Sequence, residues 1–462
     1  MDLFGTAGIR GSVRERVTPA FALRVGRAAA REARADAQGD GGDGPVEFVV
    51  GRDGRETGEA LASALTSGLQ SGGARVVRVG RVPTPALAYA SRGRHGVMVT
   101  ASHNPPTDNG LKLFADGQEY DREAERRIEA AVADDDPPVA WDDWGEAERV
   151  DILPGYRRAV VDYARGHGGP LDGVRVAADA GNGVAARAVP WVLRELGAHV
   201  VTLNGNVDGH FPGRESKPTP ESLADLRAFV ADGEFALGMG FDGDADRIVV
   251  VDADGEVVHE DTVLAVVAEH YTRAAAAGDP VVVTTPNASA RIDERVRAAG
   301  GRVERVRLGA LHEGVAAARE AGGADTEVVF AAEPWKHMHT RFGPWIDGVA
   351  SAAVLARLVA ESGLDALRDP VTERPYRKVS VECPDDRKAA VMSALETALP
   401  AEFPDAAVDT EHGVRLEIDG GWTLVRPSGT EPYVRVYAEH DDVDALVERT
   451  VAVVEDAVAD AG

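Results

Sequence analysis

Short apolar, β-rich runs recur along this chain and alternate with segments of helical periodicity. That alternation restricts it to an α/β fold. Val46-Glu-Phe-Val-Val50, Val174-Arg-Val176 and Val281-Val-Val283 read as strands. Phe21 to Ala35 and Glu59 to Leu69 place apolar residues at helical spacing among good helix formers. Strand–helix alternation builds parallel or mixed sheets covered by helices. At 462 residues the chain is too long for one compact core, and roughly one domain per 150 residues gives about three. A first boundary is expected near residue 150, after Asp134-Asp-Asp-Pro-Pro138 and Trp141-Asp-Asp-Trp144, with a helix restarting around Pro154 to Arg165. Further boundaries near 256 and 369 divide the chain into 1–150, 151–256, 257–368 and 369–462. Gly39-Asp-Gly-Gly-Asp-Gly-Pro45 reads as a flexible surface loop, and no internal sequence repeat is evident.

Four of the apolar runs end in loops that can carry chemistry. Val97-Met-Val99 leads into Thr100-Ala-Ser-His-Asn-Pro105, so a strand ends and a polar loop opens at a serine. Asn104-Pro105-Pro106 stops the chain from continuing as strand or helix. A serine so presented is expected to be exposed on a stiff turn, which suits a hydroxyl that takes up a group and gives it back. A plain turn is the alternative. The flanks exclude a nucleophile elbow, which needs G-x-S-x-G and an immediate helix. The second loop, Asp242-Gly-Asp-Ala-Asp-Arg247, lies between the apolar run Phe235 to Phe241 and Ile248-Val-Val-Val251. Three carboxylates at alternate positions converge if the loop curls, and hard oxygen ligands suit Mg²⁺ or Ca²⁺ rather than zinc. An EF-hand is excluded, because Arg247 and Ala253 stand where it needs glycine and a bidentate glutamate. A solvated acidic turn is the other reading. Arg247, beside the acids, is suited to face a phosphate.

Glu333-Pro-Trp-Lys-His337 forms the third loop, after Val328-Val-Phe330. The fourth, Arg426-Pro-Ser-Gly-Thr-Glu-Pro432, separates Trp422-Thr-Leu-Val425 from Tyr433-Val-Arg-Val-Tyr437 and has the makings of a phosphate cradle. Gly429 lets backbone N–H groups approach an anion, Ser428 and Thr430 add hydroxyl donors, Arg426 can bind bidentately, and Arg435 follows on the next strand. Here too an ordinary turn is the alternative.

Taken in order, the four loops resemble those of the phosphohexomutase family: the phosphoglucomutases, phosphomannomutases and phosphoglucosamine mutases. The resemblance runs along nearly the whole chain, through Phe4-Gly-Thr-Ala-Gly-Ile-Arg-Gly11, Gly51-Arg-Asp-Gly-Arg55, Pro83-Thr-Pro85, Asn109-Gly-Leu-Lys112, Asp179-Ala-Gly-Asn-Gly183 and Phe211-Pro-Gly-Arg214. It implies three similar mixed-sheet α/β domains plus a smaller C-terminal α+β domain around a central cleft.

The same resemblance implies a phosphosugar mutase that interconverts sugar 6-phosphate and sugar 1-phosphate through a phosphoserine at Ser102 and a bisphosphate intermediate. One Mg²⁺ per chain would sit on Asp242, Asp244, Asp246 and the Ser102 phosphate, and a sugar bisphosphate would act as activator. His103 and Arg247 would contact that phosphate and Arg10 would steady the reacting groups. Lys112 would transfer a proton or stabilise the transferred group, with a solvated loop lysine as its plain alternative. Arg426, Ser428, Gly429, Thr430 and Arg435 would hold the phosphate that is not reacting. The third loop departs from the usual Gly-Glu-x-Ser-Gly-His pattern. Glu333 and His337 match, which implies sugar-hydroxyl binding and an acid/base role, whereas Trp335 and Lys336 replace serine and glycine. Trp335 would stack on a sugar or fill the loop's core, and Lys336 would neutralise an acidic group or lie at the rim. The form of the fourth loop favours glucosamine phosphate as substrate. Mannose or glucose phosphate are alternatives, and the altered third loop admits a pentose phosphate. A metal-dependent sugar phosphatase and a non-catalytic phosphosugar-binding regulator are the other classes considered.

The net charge of −27 would repel nucleic acid and anionic membrane, so neither is expected as a partner, and a phosphosugar site needs local positive charge. Of 50 basic residues only five are lysines, at positions 112, 217, 336, 378 and 388. Acidity with scarce lysine suggests a salt-adapted protein like that of a halophilic archaeon; a GC-rich genome would also favour arginine. The single cysteine, Cys383, excludes an intramolecular disulfide and fits a reducing compartment. With no leader-like or membrane-spanning run, the expected place is the cytoplasm, as monomer or homodimer.

Overall fold

The computed structural model describes residues 3–5, 8–39, 46–428 and 431–461. The first domain contains β1 (Ile9–Ser12), α1 (Pro19–Gly39), β2 (Glu47–Arg52), α2 (Gly58–Ser71), β3 (Arg75–Arg81), α3 (Thr84–Ala90), β4 (His95–Val99), β5 (Asp108–Ala115), β6 (Gln118–Glu119), α4 (Arg122–Asp134) and β7 (Ala147–Arg149). Its sheet runs β1-β5-β4-β2-β3-β7, with β6 on β5. β2, β3, β4 and β7 pair in parallel, while β5 is antiparallel to both β1 and β4. The helices form where the sequence favours them: α1 and α2 cover one face with alanine and leucine, and α4 starts at Asp121, whose carboxylate accepts the Ala124 N–H at 2.8 Å.

The second domain has α5 (Leu153–Ala164), β8 (Arg175–Asp179), α6 (Val189–Glu195), β9 (His199–Leu203), α7 (Ala224–Ala231), β10 (Leu237–Phe241) and β11 (Ile248–Val251), with sheet order β11-β10-β8-β9. The third has α8 (Glu260–Arg273), β12 (Asp279–Thr284), α9 (Ala290–Ala298), β13 (Arg302–Arg305), α10 (Leu311–Ala321), β14 (Thr326–Glu333), β15 (Lys336–Met338), α11 (Gly348–Ser362) and α12 (Leu364–Arg368), with sheet order β13-β12-β14-β15. In both sheets only the strand that returns after a loop, β11 or β15, is antiparallel.

The first three sheets therefore share one device. A buried strand runs into a loop and an antiparallel strand returns beside it: β4 to β5, β10 to β11, β14 to β15. The chain has repetition of form without repetition of sequence, because apolar strands of different composition bury equally well. α11 is buried from Gly348 to Val359 and packs against α5 and α6. One apolar core consequently extends from Met98 through Tyr156, Val176 and Met239 to Tyr271, Phe330 and Val354. It ties the three sheets together and holds their loops in fixed relation.

The C-terminal domain is separate in kind. β16 (Tyr376–Glu382), α13 (Lys388–Glu402), β17 (Ala407–Asp409), β18 (Val414–Ile418), β19 (Gly421–Pro427), β20 (Tyr433–His440) and α14 (Val443–Asp460) form an antiparallel sheet, ordered β16-β20-β19-β18-β17, backed by two helices. Its own core includes Val391, Leu395, Val414, Val436 and Val454, and buries the thiol-bearing Cys383. Among the described residues no helix is long and apolar enough to cross a membrane.

Candidate active site

The loops after β4 and β10 meet directly. Ser102 Oγ donates to Asp242 Oδ2 at 2.6 Å and lies 3.3 Å from His103 Nδ1. Ser102 is fully buried, which corrects the expectation of an exposed serine. The second domain's loop packs onto it so closely that a Cβ on Gly243 would lie 2.8 Å from the Ser102 carbonyl oxygen. The serine turn itself is unusual, since Ser102 has a φ of 51°, in the left-handed region that a side chain disfavours.

The three aspartates converge as their spacing suggested. All three are buried, and one carboxylate oxygen from each lies within 4.8 Å of the others. Each also accepts a hydrogen bond, Asp244 and Asp246 from the first domain and Asp242 from its own loop. Thr84 Oγ1 donates to Asp244 Oδ2 at 2.6 Å, Lys112 Nζ to Asp246 Oδ2 at 2.7 Å, and the Arg247 N–H to Asp242 Oδ1 at 3.3 Å. Asp244 Oδ1 and Asp246 Oδ1 are left buried with no hydrogen-bond partner. Two orphaned, hard, anionic oxygens on convergent carboxylates are the donor set a small divalent cation takes. Burial and the crowding of Asp246 and Asp244 push the Asp242 carboxyl well up. Asp246 moves the other way, because Lys112, Lys336 and Arg247 outweigh the effect of its burial.

Lys112 is buried rather than a solvated loop lysine. β5 carries it beneath the triad, 2.7 Å from Asp246, 3.7 Å from Asp244 and 3.8 Å from Glu119. Burial alone would lower its ammonium, but these carboxylates raise it. Lys217, by contrast, is exposed.

Above this floor opens a cleft of about 570 Å³ between the domains. Its cationic lining comes from every domain: Arg10 and Arg16, Arg247, Lys336, and then Lys378, Arg426 and Arg435, set against Glu260, Asp261 and Glu333. Arg10, Arg247, Arg426 and Arg435 each have a buried Nε–H without a hydrogen-bond partner, a set that an anion of several oxygens would satisfy. His103 also lines the cleft, and burial together with Arg247 and Arg10 pushes its imidazole down to about 2, so the ring is neutral.

The third loop is a two-residue turn, Pro334-Trp335, joining β14 to β15. Glu333 accepts the Gly309 N–H and lies 3.6 Å from Lys336 Nζ. Trp335 sits at a φ of 67°, where a bulky side chain is rare, and its carbonyl accepts the Ile248 N–H at 3.0 Å. Its ring both lines the cleft and packs against the second domain's cluster of Leu223, Val249 and Val251. His337 does not reach the cleft wall. Strand alternation turns it inward, where it is 1% exposed and bonds Ser351 through Nδ1 at 3.1 Å, and burial pushes its imidazole down to about 3.

In the fourth loop the Ser428 N–H donates to Tyr433 O at 2.9 Å, Lys388 Nζ donates to Ser428 O at 2.6 Å, and Arg426 Nη2 donates to Tyr437 Oη at 3.3 Å. Gly429 and Thr430 lie outside the described residues. Arg435 pairs with Glu431.

Several residues gained a place only in the structure. Thr84, Ser216, Arg214 with Asp179, Arg16, Lys378 and Tyr437 surround the site. Arg55 and Asp53, both fully buried, lie directly behind the serine loop. Some belong to segments that marked the chain's resemblance, but their partners lie in other elements, so no local signal disclosed what they hold.

The chain matches the phosphoglucomutase/phosphomannomutase domain models in order: alpha/beta/alpha domain I over residues 1–138, domain II over 159–255, domain III over 259–375 and the C-terminal domain over 378–457. It is 41% identical over 451 residues to a protein named phosphopentomutase from Thermococcus kodakarensis, covering 95% of this chain and 94% of that one. It is 42% identical over 446 residues to a probable phosphoglucosamine mutase from Methanopyrus kandleri, covering 94% and 93%. Among solved structures, a phosphoglucomutase/phosphomannomutase family protein from Burkholderia thailandensis aligns with a TM-score of 0.85 at 28% identity, covering 100% of this chain and 97% of that one. With its four domains matched in sequence order and its relatives aligned over nearly their whole length, this chain belongs to the phosphoglucomutase/phosphomannomutase family of isomerases, the phosphosugar mutases.

Proposed function

We propose that the enzyme moves a phosphoryl group between the two ends of a sugar phosphate through phospho-Ser102. The observation that carries this reading is the junction of Ser102 Oγ with Asp242 at 2.6 Å, on the floor of a cleft whose arginines have unpaired N–H groups. A free sugar hydroxyl attacks the Ser102 phosphorus. Its oxygen gains the P–O bond and gives up its proton, Ser102 Oγ loses its P–O bond and takes up a proton, and a sugar bisphosphate results. That bisphosphate turns over in the cleft and returns its other phosphoryl group to Ser102. Asp242, Asp244 and Asp246 would hold Mg²⁺ beside the phosphoserine, and the ion would supply charge neutralisation to the loose transition state. Lys112 already donates to Asp246, which favours stabilising the transferred group over taking a proton. Arg10, Arg247 and His103 steady the reacting phosphate. Arg426, Ser428 and Arg435, with Gly429 and Thr430, hold the other. Glu333 meets the sugar. His337 is assigned to bracing the sugar loop, since it faces Ser351.

Glucosamine phosphate is the substrate we favour, on the form of the fourth loop and the likeness to the Methanopyrus kandleri relative. A pentose phosphate is the second reading. It is supported by the Thermococcus kodakarensis relative, and by Trp335 and Lys336 lining the cleft where the family pattern has serine and glycine. The reading includes a sugar bisphosphate activator that primes Ser102, and a salt-adapted cytoplasmic enzyme, in keeping with the charge of −27. We set the domain limits near residues 150, 256 and 369.

A coupled mutase assay across glucosamine, glucose, mannose and ribose phosphates, with bisphosphate added, tests the reading. Ser102→Ala is expected to remove most turnover while leaving the fold intact, and wild-type protein to carry about one phosphate, released by excess sugar phosphate. Near wild-type turnover in the variant would overturn the phosphoserine mechanism.

A further inference from the structure

Arg55 is a fully buried guanidinium outside the cleft, and both of its terminal nitrogens donate to the serine loop. Nη2 donates to the carbonyl oxygens of Ser102 at 2.9 Å and Asn104 at 2.7 Å, while Nη1 donates to those of Pro105 and Asp108, the latter at 2.9 Å. One side chain thus collects the loop's inward carbonyls from its start to the first residue of β5. Asp53 supplies the counter-charge. It accepts Arg55 Nε at 3.1 Å and Thr100 Oγ1 at 2.7 Å, and Thr100 Oγ1 in turn accepts the Ser102 N–H at 2.9 Å. Both sides of Ser102 are therefore fastened to one buried pair, the amide through Thr100 and the carbonyl directly.

The second domain closes the clamp from outside. Ser216 Oγ donates to the same Ser102 carbonyl at 2.9 Å, and the Arg55 guanidinium lies 5.2 Å from the centroid of the Phe211 ring. What the clamp holds is a disfavoured state. Ser102 at a φ of 51° persists only where its surroundings over-determine it. In that conformation Oγ lies 2.6 Å from Asp242, and a relaxed turn would swing it away.

We propose that Arg55 is the positioning residue of the phosphoryl carrier: it holds Ser102 in the left-handed conformation from which Oγ meets the aspartate triad. The proposal rests on Ser102 being that carrier. Lysine at this position keeps one charge but cannot span four carbonyls in a planar fork. Arg55→Lys should therefore slow phosphoryl transfer while leaving the cleft and the triad, which belong to other elements, able to bind.

The test compares wild type, Arg55→Lys and Asp53→Asn in three measurements: steady-state kinetics, the single-turnover rate at which a sugar bisphosphate phosphorylates Ser102, and Mg²⁺ affinity by calorimetry. A misplacement on the order of 1 Å at a reacting atom costs roughly 100-fold, so kcat and the single-turnover rate should fall by about that factor, with KM and Mg²⁺ affinity within about threefold of wild type. Asp53→Asn, which keeps the shape but loosens Arg55, should show the same split to a smaller degree. If kcat and Mg²⁺ affinity fall and KM rises along with a loss of folded protein, or if folded variants are phosphorylated at the wild-type rate, the assignment is overturned. An active Ser102→Ala would instead overturn the carrier itself, so the two failures are distinguishable.

Discussion

Replacing Lys112 by methionine tests how the floor of the site balances its charges. The substitution keeps the length of the stem and removes the ammonium that donates to Asp246 at 2.7 Å. At that separation and an effective dielectric of about 20, the attraction is roughly 6 kcal/mol before desolvation is counted. Breaking a buried pair by removing one partner costs about 3–5 kcal/mol net, because the other charge is left stranded. Asp246 is 2% exposed and its Oδ1 is already without a hydrogen-bond partner, so the full range applies to metal-free protein, eased by the charges of Lys336 and of Arg247 at 3.9 Å. With Mg²⁺ on the same carboxylates, part of the loss should be recovered. The recovered part appears as tighter binding: about 2 kcal/mol corresponds to a roughly 30-fold lower Mg²⁺ Kd. Calorimetric titration of Mg²⁺, together with thermal unfolding with and without the ion, measures both sides of the cycle. Mutase turnover should fall in the same variant. Equal destabilisation with and without Mg²⁺, with an unchanged Kd, would refute the idea that Lys112 and the ion share these carboxylates.

Chelation should stop turnover, and Mg²⁺ should restore it better than Ca²⁺, whose larger coordination shell suits the triad less well; full activity in chelator would sink the metal assignment. The double change Trp335→Ser with Lys336→Gly should alter the ranking of sugar phosphates by tenfold or more, since one hydroxyl contact is worth roughly 1–3 kcal/mol, and phosphorylation of Ser102 should survive; unchanged ratios would make both residues structural. Burial pushes the Asp347 carboxyl up to about 6 from an ordinary 3.8, so the folded chain keeps a proton that the unfolded chain has lost. Its contribution to stability, about 3 kcal/mol, is thus full below pH 3.8 and disappears as pH rises through 6; Asp347→Asn should lack that slope in denaturation measured from pH 3.5 to 7.5, and parallel profiles would contradict it.

Much of the site was legible because the information is local. β4 ends at Val99 and β10 at Phe241, where the apolar runs stop, and the polar loops open where β-branched and apolar residues give way to Asp, Asn, Gly and Pro. The Asp-x-Asp-x-Asp spacing suffices to bring three carboxylates within 4.8 Å of one another, since alternate residues of a tight loop share a side. Lys112 was singled out by rarity and by its segment, though nothing nearby in sequence announced that it would be buried.

What the sequence by itself determined is an α/β chain whose strands end in four polar loops. The tertiary structure decided which atoms of those loops meet. Ser102 bonds a carboxylate 140 positions away, Lys112 one 134 away, and Thr84 one 160 away. Periodicity and turn chemistry act over a few residues and have no reach across such intervals; the apolar core shared by the three sheets sets those distances instead. For the same reason the serine expected at the surface is buried under Gly243, and His337 faces the core instead of the cleft. Arg55 belongs to a segment that marked the resemblance, but only folding brings four carbonyls from the serine loop onto it.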